Sequence, residues 1–263
     1  MTRALLAILV LLSTRCSSAP RERPWFETIA DHRARYDEAL DSQQTFRVEV
    51  EGAALQHLVR ERFPEILQGL ESRESAEQEA AAFALGFSRH RAALDPLAAA
   101  TTSPNPALRA FAVAALGMLG FRDAPMEPFR KLLRDEVWQV RLAALFGLRH
   151  LAASGCPTAV LEAVQERLSD PVMGIRNEAV LVLAKVGGPV SLEMILARPV
   201  RDPEALVRQN AARALGAIRK PAERVIPALK RMMAHEDPAV ARAAEAALQA
   251  ADGGHVDTPG PDR

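Results

Sequence analysis

The stretch Asp202–Gly216 reads D-P-E-A-L-V-R-Q-N-A-A-R-A-L-G, and most of the chain repeats its pattern. An aspartate and a proline stand six and five residues before Arg208. Two alanines stand three and four residues after it, and a leucine and a glycine stand seven and eight after it. Further copies, complete or partial, are centred on the residues that correspond to Arg208: Gln78, Arg109, Arg141, Arg176 and Arg242.

These six reference positions are separated by 31, 32, 35, 32 and 34 residues. Self-similarity at a period of roughly 20 to 50 residues indicates a solenoid built from one supersecondary unit. Each copy predicts a helix, because the aspartate can cap free backbone N–H groups and proline is tolerated in a first turn. The apolar residues around each reference position fall on one helical face. The sequence therefore predicts an all-α array of helical pairs.

Helical periodicity between the copies supplies a second helix for each pair. The array is predicted to occupy residues 53–251, beginning with a degenerate pair over 53–63 and 64–70, and to be followed by a flexible tail over 252–263. First helices are predicted near residues 75–88, 106–121, 138–152, 172–186, 204–219 and 238–251. Second helices are predicted near residues 91–100, 125–134, 158–168, 189–198 and 222–234.

The first 16 residues have the features of an export signal. Arg3 supplies a positive charge, and residues 4–12 form an apolar run of nine residues. Such a run rises only about 14 Å as a helix, whereas the hydrocarbon core of a bilayer is about 30 Å thick. A cleaved signal peptide is therefore favoured over a membrane span. The predicted localisation is the cell envelope.

Residues 12–18 resemble a bacterial lipoprotein signal, in which a cysteine is lipidated and becomes the new N-terminus. Cys16 holds that position, and Arg15 departs from the small residue that this family has before the cysteine. The resemblance implies a lipid anchor on Cys16. Cleavage after Ala19 is one alternative, although it would place Pro20 beside the scissile bond. A buried N-terminal helix with an incidental cysteine is the other.

Residues 17–52 are predicted to be a linker that contains one amphipathic helix. Apolar residues recur at spacings close to three and four over Trp25–Leu40. We favour a helix that folds back on the first repeat over one that docks on a partner or a membrane. Phe46, Val48 and Val50 alternate like a strand, but no second strand is available to pair with them. That stretch is therefore predicted to be a connector.

The composition excludes some classes of function. Lys plus Arg and Asp plus Glu both number 33, so the formal net charge is zero. A nucleic-acid binder that relies on a basic field over the whole molecule is therefore disfavoured. Two cysteines, Cys16 and Cys156, are too few for a disulfide framework.

The repeated pattern D-P-x-x-x-V-R-x-x-A-A-x-A-L-G resembles the HEAT repeat, particularly the short bacterial form also found in phycobilin lyases, over roughly residues 72–251. This resemblance implies a right-handed α-α superhelix of about five to six helical pairs. In that family the recurrent aspartates and arginines form a ladder between neighbouring repeats. The resemblance therefore implies a structural role for Asp135, Asp170, Asp202, Arg109, Arg141, Arg176 and Arg208. Anion binding by these arginines is the functional alternative.

Few residues point to catalysis. The resemblance to phycobilin lyases rests on the repeats alone, without a separate lyase motif. The HEAT-like deoxyhypusine hydroxylases hold two irons with several His-Glu pairs, and only His235-Glu236 matches that pattern here. Cys156 has no evident base beside it. No catalytic, cofactor-binding or metal-binding residue is predicted, and the chain is predicted not to be an enzyme. An enzyme or enzyme accessory with a metal or cofactor between repeats is the alternative.

In HEAT-type solenoids the second helices line the concave face, and this resemblance implies a protein-binding scaffold. Charge alternates along the second helices, from basic to acidic to mixed to basic, which suits a partner with the opposite pattern. A solvated charged face is an equally good interpretation. The residues predicted to contact a protein partner are Arg130, Lys131, Arg134, Trp138, Glu162, Glu166, Arg198, Arg224, Lys230 and Arg231.

Overall fold

A computed structural model describes residues 24–151 and 156–252 of the 263. In those two ranges the chain forms thirteen α-helices and no strand. The predicted all-α class is therefore confirmed. The helices begin and end within three residues of the predicted first and second helices of the array.

Two helices, α1 and α2, precede the alternating first and second helices of the repeats. These two span Pro24–Asp41 and Thr45–Gly69. The first helices of the repeats are α3 (Ser75–Leu85), α5 (Pro106–Met118), α7 (Trp138–Leu151), α9 (Met173–Val186), α11 (Ala205–Ile218) and α13 (Pro238–Asp252). The second helices are α4 (Leu94–Ala100), α6 (Glu127–Leu132), α8 (Thr158–Arg167), α10 (Gly188–Ala197) and α12 (Ala222–Met233).

The predicted connector before residue 53 is wrong, because α2 already begins at Thr45. Phe46 and Val50 are 76% and 47% exposed, whereas Leu55 and Val59 are fully buried. The apolar alternation that imitated a strand is therefore the outer face of a helix. A kink at Arg62, where the backbone leaves helical φ/ψ, divides α2 into two parts.

Contacts between Cα atoms divide the chain into two compact units, Met1–Ala163 and Val164–Arg263. The division falls within α8, so each unit contains whole first helices. The units are described separately. Unit 1 contains α1 to α7, and unit 2 contains α9 to α13.

A shared backbone hydrogen bond defines the reference position of each first helix. The amide of Arg109 donates to the carbonyl of Asn105 at 3.1 Å, and the amide of Arg208 donates to that of Glu204 at 3.2 Å. In α13 the same bond runs from Ala241 to Asp237 at 3.1 Å. The last copy is therefore centred on Ala241, and the sequence alignment on Arg242 was wrong by one residue.

Adjacent first helices come into close contact at a repeated pair of small residues. The first member stands eight residues after its reference position, and the second stands six residues after the reference position of the next helix. A Cβ added to Gly117 would lie 2.1 Å from the carbonyl oxygen of Gly147. The backbones of α5 and α7 are therefore in direct contact. The three pairs of this kind are Gly86–Ala115, Gly117–Gly147 and Gly216–Ala247.

Helix α1 folds back on the first repeat. Its Tyr36 ring packs edge-on against Phe83 and Phe87 of the first repeat, with ring centroids 6.2 and 5.5 Å away. The guanidinium of Arg33 lies 4.4 Å from the ring centroid of Phe111 in α5. Trp25 is 5% exposed. Aromatic and cation–π contacts thus hold α1 against both α3 and α5.

A buried carboxylate lies in this N-terminal packing. Asp37 is 8% exposed, and its Oδ2 is 3.7 Å from Nε of Arg33. Its Oδ1 is buried without a hydrogen-bond partner in the described part of the chain. Burial raises the pKa of Asp37 to about 6, against the opposing attraction of Arg33 and with a smaller contribution from the charge of Asp41.

This raised pKa predicts a pH-dependent stability. The folded carboxyl binds its proton more tightly than the unfolded one, so its contribution to the free energy of unfolding falls as pH rises from about 4 to about 6. We expect the wild-type protein to lose about 1–2 kcal/mol more than Asp37→Asn between pH 4 and pH 7. Urea unfolding of both proteins at each pH measures the difference. Equal pH slopes in the two proteins would contradict the assignment.

Candidate functional site

Each unit contains a bidentate ion pair between ladder side chains. In unit 1, Nε and Nη2 of Arg109 donate to the carboxylate of Asp135 at 2.9 and 3.0 Å. In unit 2, the same atoms of Arg176 donate to Asp202 at 2.8 and 3.0 Å. Bidentate charge-assisted hydrogen bonds fix the orientation of both groups.

The carboxylates of Asp135 and Asp202 also accept a backbone hydrogen bond at the start of the next first helix. Oδ1 of Asp202 accepts a hydrogen bond from the amide of Glu204 at 3.0 Å. The third donor of Arg176, Nη1, binds the carbonyl of Asp170 at 3.1 Å, and hydrogen bonding to Asp202 raises the pKa of Arg176. The guanidinium is thus occupied on all three nitrogens. This geometry favours the structural role over anion binding.

Arg208 has no aspartate at the position of the ladder partner. Both bidentate pairs join residues 26 positions apart, and 26 positions after Arg208 stands Ala234. Nη1 of Arg208 binds the carbonyls of Asp202 and Pro203 at 2.6 and 2.8 Å, but its buried Nε has no hydrogen-bond partner in the described part of the chain. Arg141 makes the corresponding carbonyl contacts, beginning with Asp135 at 2.8 Å. The carboxylate of Asp170 accepts from Arg167 at 3.1 Å.

The predicted basic cluster of unit 1 is partly neutralised within its own helix. Arg130 donates to both carboxylate oxygens of Glu127 at 2.7 and 2.6 Å, and Lys131 lies 3.8 Å from the same group. Hydrogen bonding lowers the pKa of Glu127. Arg134 is exposed, and Trp138 is half-buried at the start of α7. A partner would therefore meet a weaker positive field here than the sequence indicates.

The second helices of unit 2 carry more available positive charge. Nη2 of Arg224 donates to Glu193 at 2.8 Å, which links α12 to α10 across an exposed ion pair. Arg198, the residue directly after α10, and Lys230 and Arg231 of α12 are exposed and form no ion pair with any residue in the described ranges. We call these three residues the basic face. The acidic candidates Glu162 and Glu166 are exposed on α8.

The residues considered for catalysis have local structural roles. Burial raises the pKa of the Cys156 thiol to about 11, so the nucleophilic thiolate is scarce at neutral pH. Nδ1 of His235 accepts a hydrogen bond from the amide of Asp237 at 2.9 Å and thereby stabilises the turn before α13. Over residues 24–151 and 156–252, no cluster of three His, Cys, Asp or Glu side chains could hold a metal ion.

This geometry does not address the predicted export signal and lipid anchor. Cys16 and the rest of the predicted signal lie outside the described residues, as do residues 253–263 of the predicted tail. Among the helices that the structure describes, none combines the length and apolarity needed to cross a bilayer.

The family model for HEAT repeats matches the chain over residues 63–149, 126–199 and 191–249. The chain belongs to the HEAT repeat family. Its fold class is therefore the armadillo/HEAT-like α-solenoid that the repeated pattern predicted. A comparison with curated proteins finds no match.

Solved structures of engineered repeat proteins share this fold. One engineered protein is 21% identical, with a TM-score of 0.57 over 72% of this chain and 98% of its own. A designed armadillo repeat protein in complex with the peptide (KR)4 is 19% identical, with a TM-score of 0.55 over 71% of this chain and 98% of its own. The phycocyanin lyase complex from Nostoc is 20% identical, with a TM-score of 0.46 over 91% and 98% of the two chains. At these identities the first two similarities concern the fold alone, and the third carries no argument about activity.

Proposed function

We propose that this HEAT repeat protein is a non-enzymatic, protein-binding scaffold of the bacterial cell envelope. It is exported by its N-terminal signal and tethered to the membrane through lipidated Cys16. It binds an acidic segment of its partner through the second helices of unit 2. Arg198, Lys230 and Arg231, the three cations of the basic face, contact that segment.

The observation that carries this proposal is the exposed, unmatched charge of the basic face. Arg198, Lys230 and Arg231 form no ion pair with other described residues, so an acidic partner would not have to displace an existing carboxylate. Complementary charge speeds association and selects partners. A designed repeat protein of this fold holds the basic peptide (KR)4. The basic face of this chain is positively charged, so the proposed partner segment is acidic.

The proposal that the protein is not an enzyme rests on Cys156 and His235, the two side chains considered for catalysis. The pKa of Cys156 is raised to about 11, and His235 is engaged by the backbone of its own turn. Neither arrangement activates a nucleophile or a general base.

The experiment is charge reversal of the basic face in the full-length, tagged protein, expressed in its host. Wild-type protein and the triple variant Arg198→Glu, Lys230→Glu, Arg231→Glu are cross-linked in cells, and membrane extracts are captured and analysed by mass spectrometry. We expect wild-type protein to be recovered from the membrane fraction with an enriched partner. The triple variant should retain at least about tenfold less of that partner, since several charge pairs become repulsive.

A matched control places the same change of charge elsewhere. Arg60, Arg73 and Arg122 are exposed in unit 1 and form no ion pair with any described residue. Reversal of these three should leave the captured partner unchanged. Equal loss in both triple variants would show a response to total charge and would overturn the basic face as the contact. Recovery of wild-type protein from the soluble fraction alone would overturn the tether.

A further inference from the structure

Unit 1 shows how a helix can dock on two neighbouring first helices. Arg33 lies over Phe83 and Phe111, and Tyr36 packs on Phe83 and Phe87. Phe83 stands five places after Gln78 on α3, and Phe111 stands two places after Arg109 on α5. Phe87 stands nine places after Gln78, two residues past the end of α3. Helix α1 therefore occupies the channel between α3 and α5.

The corresponding channel in unit 2, between α11 and α13, is an open groove of about 580 Å³. Places five and nine of α11 are Arg213 and Ala217, and place two of α13, counted from Ala241, is Ala243. All three line the groove. The small-residue contacts Gly86–Ala115 and Gly216–Ala247 fix this correspondence independently of sequence alignment.

The groove differs from its counterpart in charge and in bulk. Its eleven lining residues include three arginines and no carboxylate, and six alanines and one glycine form most of the rest. In unit 1, α1 packs on phenylalanines. In this groove the corresponding surface consists of small side chains, which would let a further helix approach closely. The cations that line it are Arg213, Arg219 and Arg242.

A chain of side-chain hydrogen bonds holds Arg213 in place. Its Nη1 donates to Oδ1 of Asn210 at 2.9 Å, and Nδ2 of Asn210 donates to Oδ1 of Asn177 at 2.6 Å. Asn210 and Asn177 are 2% and 9% exposed. A buried amide chain thus orients the guanidinium, while no carboxylate in the described part of the chain pairs with it. Arg213 is exposed and lines the groove.

The other two arginines also lack a carboxylate partner within the described ranges. Arg219 directly follows α11 and has a φ of +61°, a conformation that glycine adopts more readily. The backbone is therefore strained at this residue, whose cation lines the groove. Arg242 is exposed on α13. Leu206, 42% exposed, lies on the helical stripe that continues through Gln209 and Arg213. The groove itself therefore combines positive charge with small side chains, and the exposed Leu206 lies on α11 outside the groove lining.

We propose that the groove between α11 and α13 docks an acidic amphipathic helix of a partner protein, in the manner in which α1 docks between α3 and α5. In unit 1 the incoming helix supplies the cation, Arg33, and the channel supplies Glu79, whose charge attracts it. In unit 2 the channel supplies the cations, so the incoming helix supplies the carboxylates. This site lies on the first helices and does not depend on the basic face of the second helices.

Binding of a designed probe tests this proposal. The probe is a fluorescent, alanine-rich helical peptide of 18 residues, the length of α1, with leucines along one stripe and glutamates beside them. A second peptide carries glutamine in place of every glutamate. Anisotropy titration of the full-length protein should give at least about tenfold tighter binding of the glutamate peptide, because each exposed charge pair contributes modestly and three act together.

Variants of exposed groove residues locate the site. Arg213→Gln with Arg242→Gln should weaken binding of the glutamate peptide about tenfold. Ala246→Leu, which fills the groove without a change of charge, should weaken it similarly. Arg60→Gln with Arg73→Gln in unit 1 serves as the matched control and should have no effect, and Lys230→Gln with Arg231→Gln tests the basic face separately. Thermal unfolding of each variant verifies that the fold is retained.

Four results would overturn the proposal. The first is equal binding of the two peptides, and the second is loss of binding in the basic-face variant with none in the groove variants. The third is a tenfold gain in affinity on removal of residues 253–263, which would make the chain's own C-terminal segment the occupant. Self-association that Ala246→Leu abolishes would likewise identify a second copy of the chain. Because the basic face and the groove are varied separately, failure of one proposal is distinguishable from failure of the other.

Discussion

Replacement of Asp202 by alanine is expected to reduce the free energy of unfolding by about 3–5 kcal/mol. The Asp202 side chain is 2% exposed and accepts two hydrogen bonds from Arg176, which is itself only 11% exposed. The substitution leaves a half-buried guanidinium without its counter-charge. It also removes the acceptor for the amide of Glu204 at the start of α11. Urea unfolding followed by circular dichroism measures the loss.

The matched control is the exposed ion pair of the same unit. Arg224 and Glu193 are 53% and 56% exposed at a distance of 2.8 Å, the same length as the Arg176–Asp202 contact. Arg224→Ala should cost less than about 1 kcal/mol, because water solvates the group that remains. Comparable losses for the two substitutions would show that burial does not determine the strength of the ladder, contrary to the structural role assigned to it.

Sequence reasoning predicted the repeats because their signals are local and recur. A capping aspartate and a first-turn proline stand at the same places in several copies. The same signal for a helix start therefore recurs along the chain. The missed start of α2 has no such copy. There, Phe46, Val48 and Val50 satisfy a period of two by chance, and only packing shows that Phe46 faces solvent.

The centre of the last copy illustrates a limit of alignment by residue type. Asp202 stands six residues before its reference position, whereas Asp237 stands four before Ala241, since α13 begins directly at Pro238. Alignment by residue type therefore places the reference position of this copy on the arginine at position 242. The backbone hydrogen bond assigns the position to Ala241 and leaves Arg242 to line the groove.

The groove escaped sequence reasoning for a related reason. The repeated pattern predicts ladder roles for the arginines at the reference positions of the first helices and a binding surface on the second helices. Recognition of Arg213 and Arg242 as neighbours needs the contact register between α11 and α13, which Gly216 and Ala247 define. The pairing of Arg130 with Glu127, by contrast, has the three-residue spacing of helical ion pairs and was predictable.

Replacement of Gly117 by alanine is expected to reduce the free energy of unfolding by about 3 kcal/mol, near the upper end of the usual cost of overpacking. The new methyl group would lie 2.1, 2.2 and 2.3 Å from the carbonyl oxygen, Cα and carbonyl carbon of Gly147. All three are backbone atoms of α7, so no side chain can rotate away. The two helices must separate, and the core between α5 and α7 loses contacts along their length.

Gly52 provides the matched control, because it also lies within a helix and has ordinary space around it. A Cβ there would meet Phe87 at 3.7 Å and Tyr36 at 3.9 Å, both through side chains at van der Waals distance. Gly52→Ala should therefore stabilise the protein by about 0.5–1 kcal/mol, because alanine loses less conformational entropy in a helix. Opposite signs for the two Gly→Ala changes would show that helix contact, rather than helix propensity, determines the role of Gly117. A stabilising Gly117→Ala would mean that α5 and α7 do not pack through their backbones.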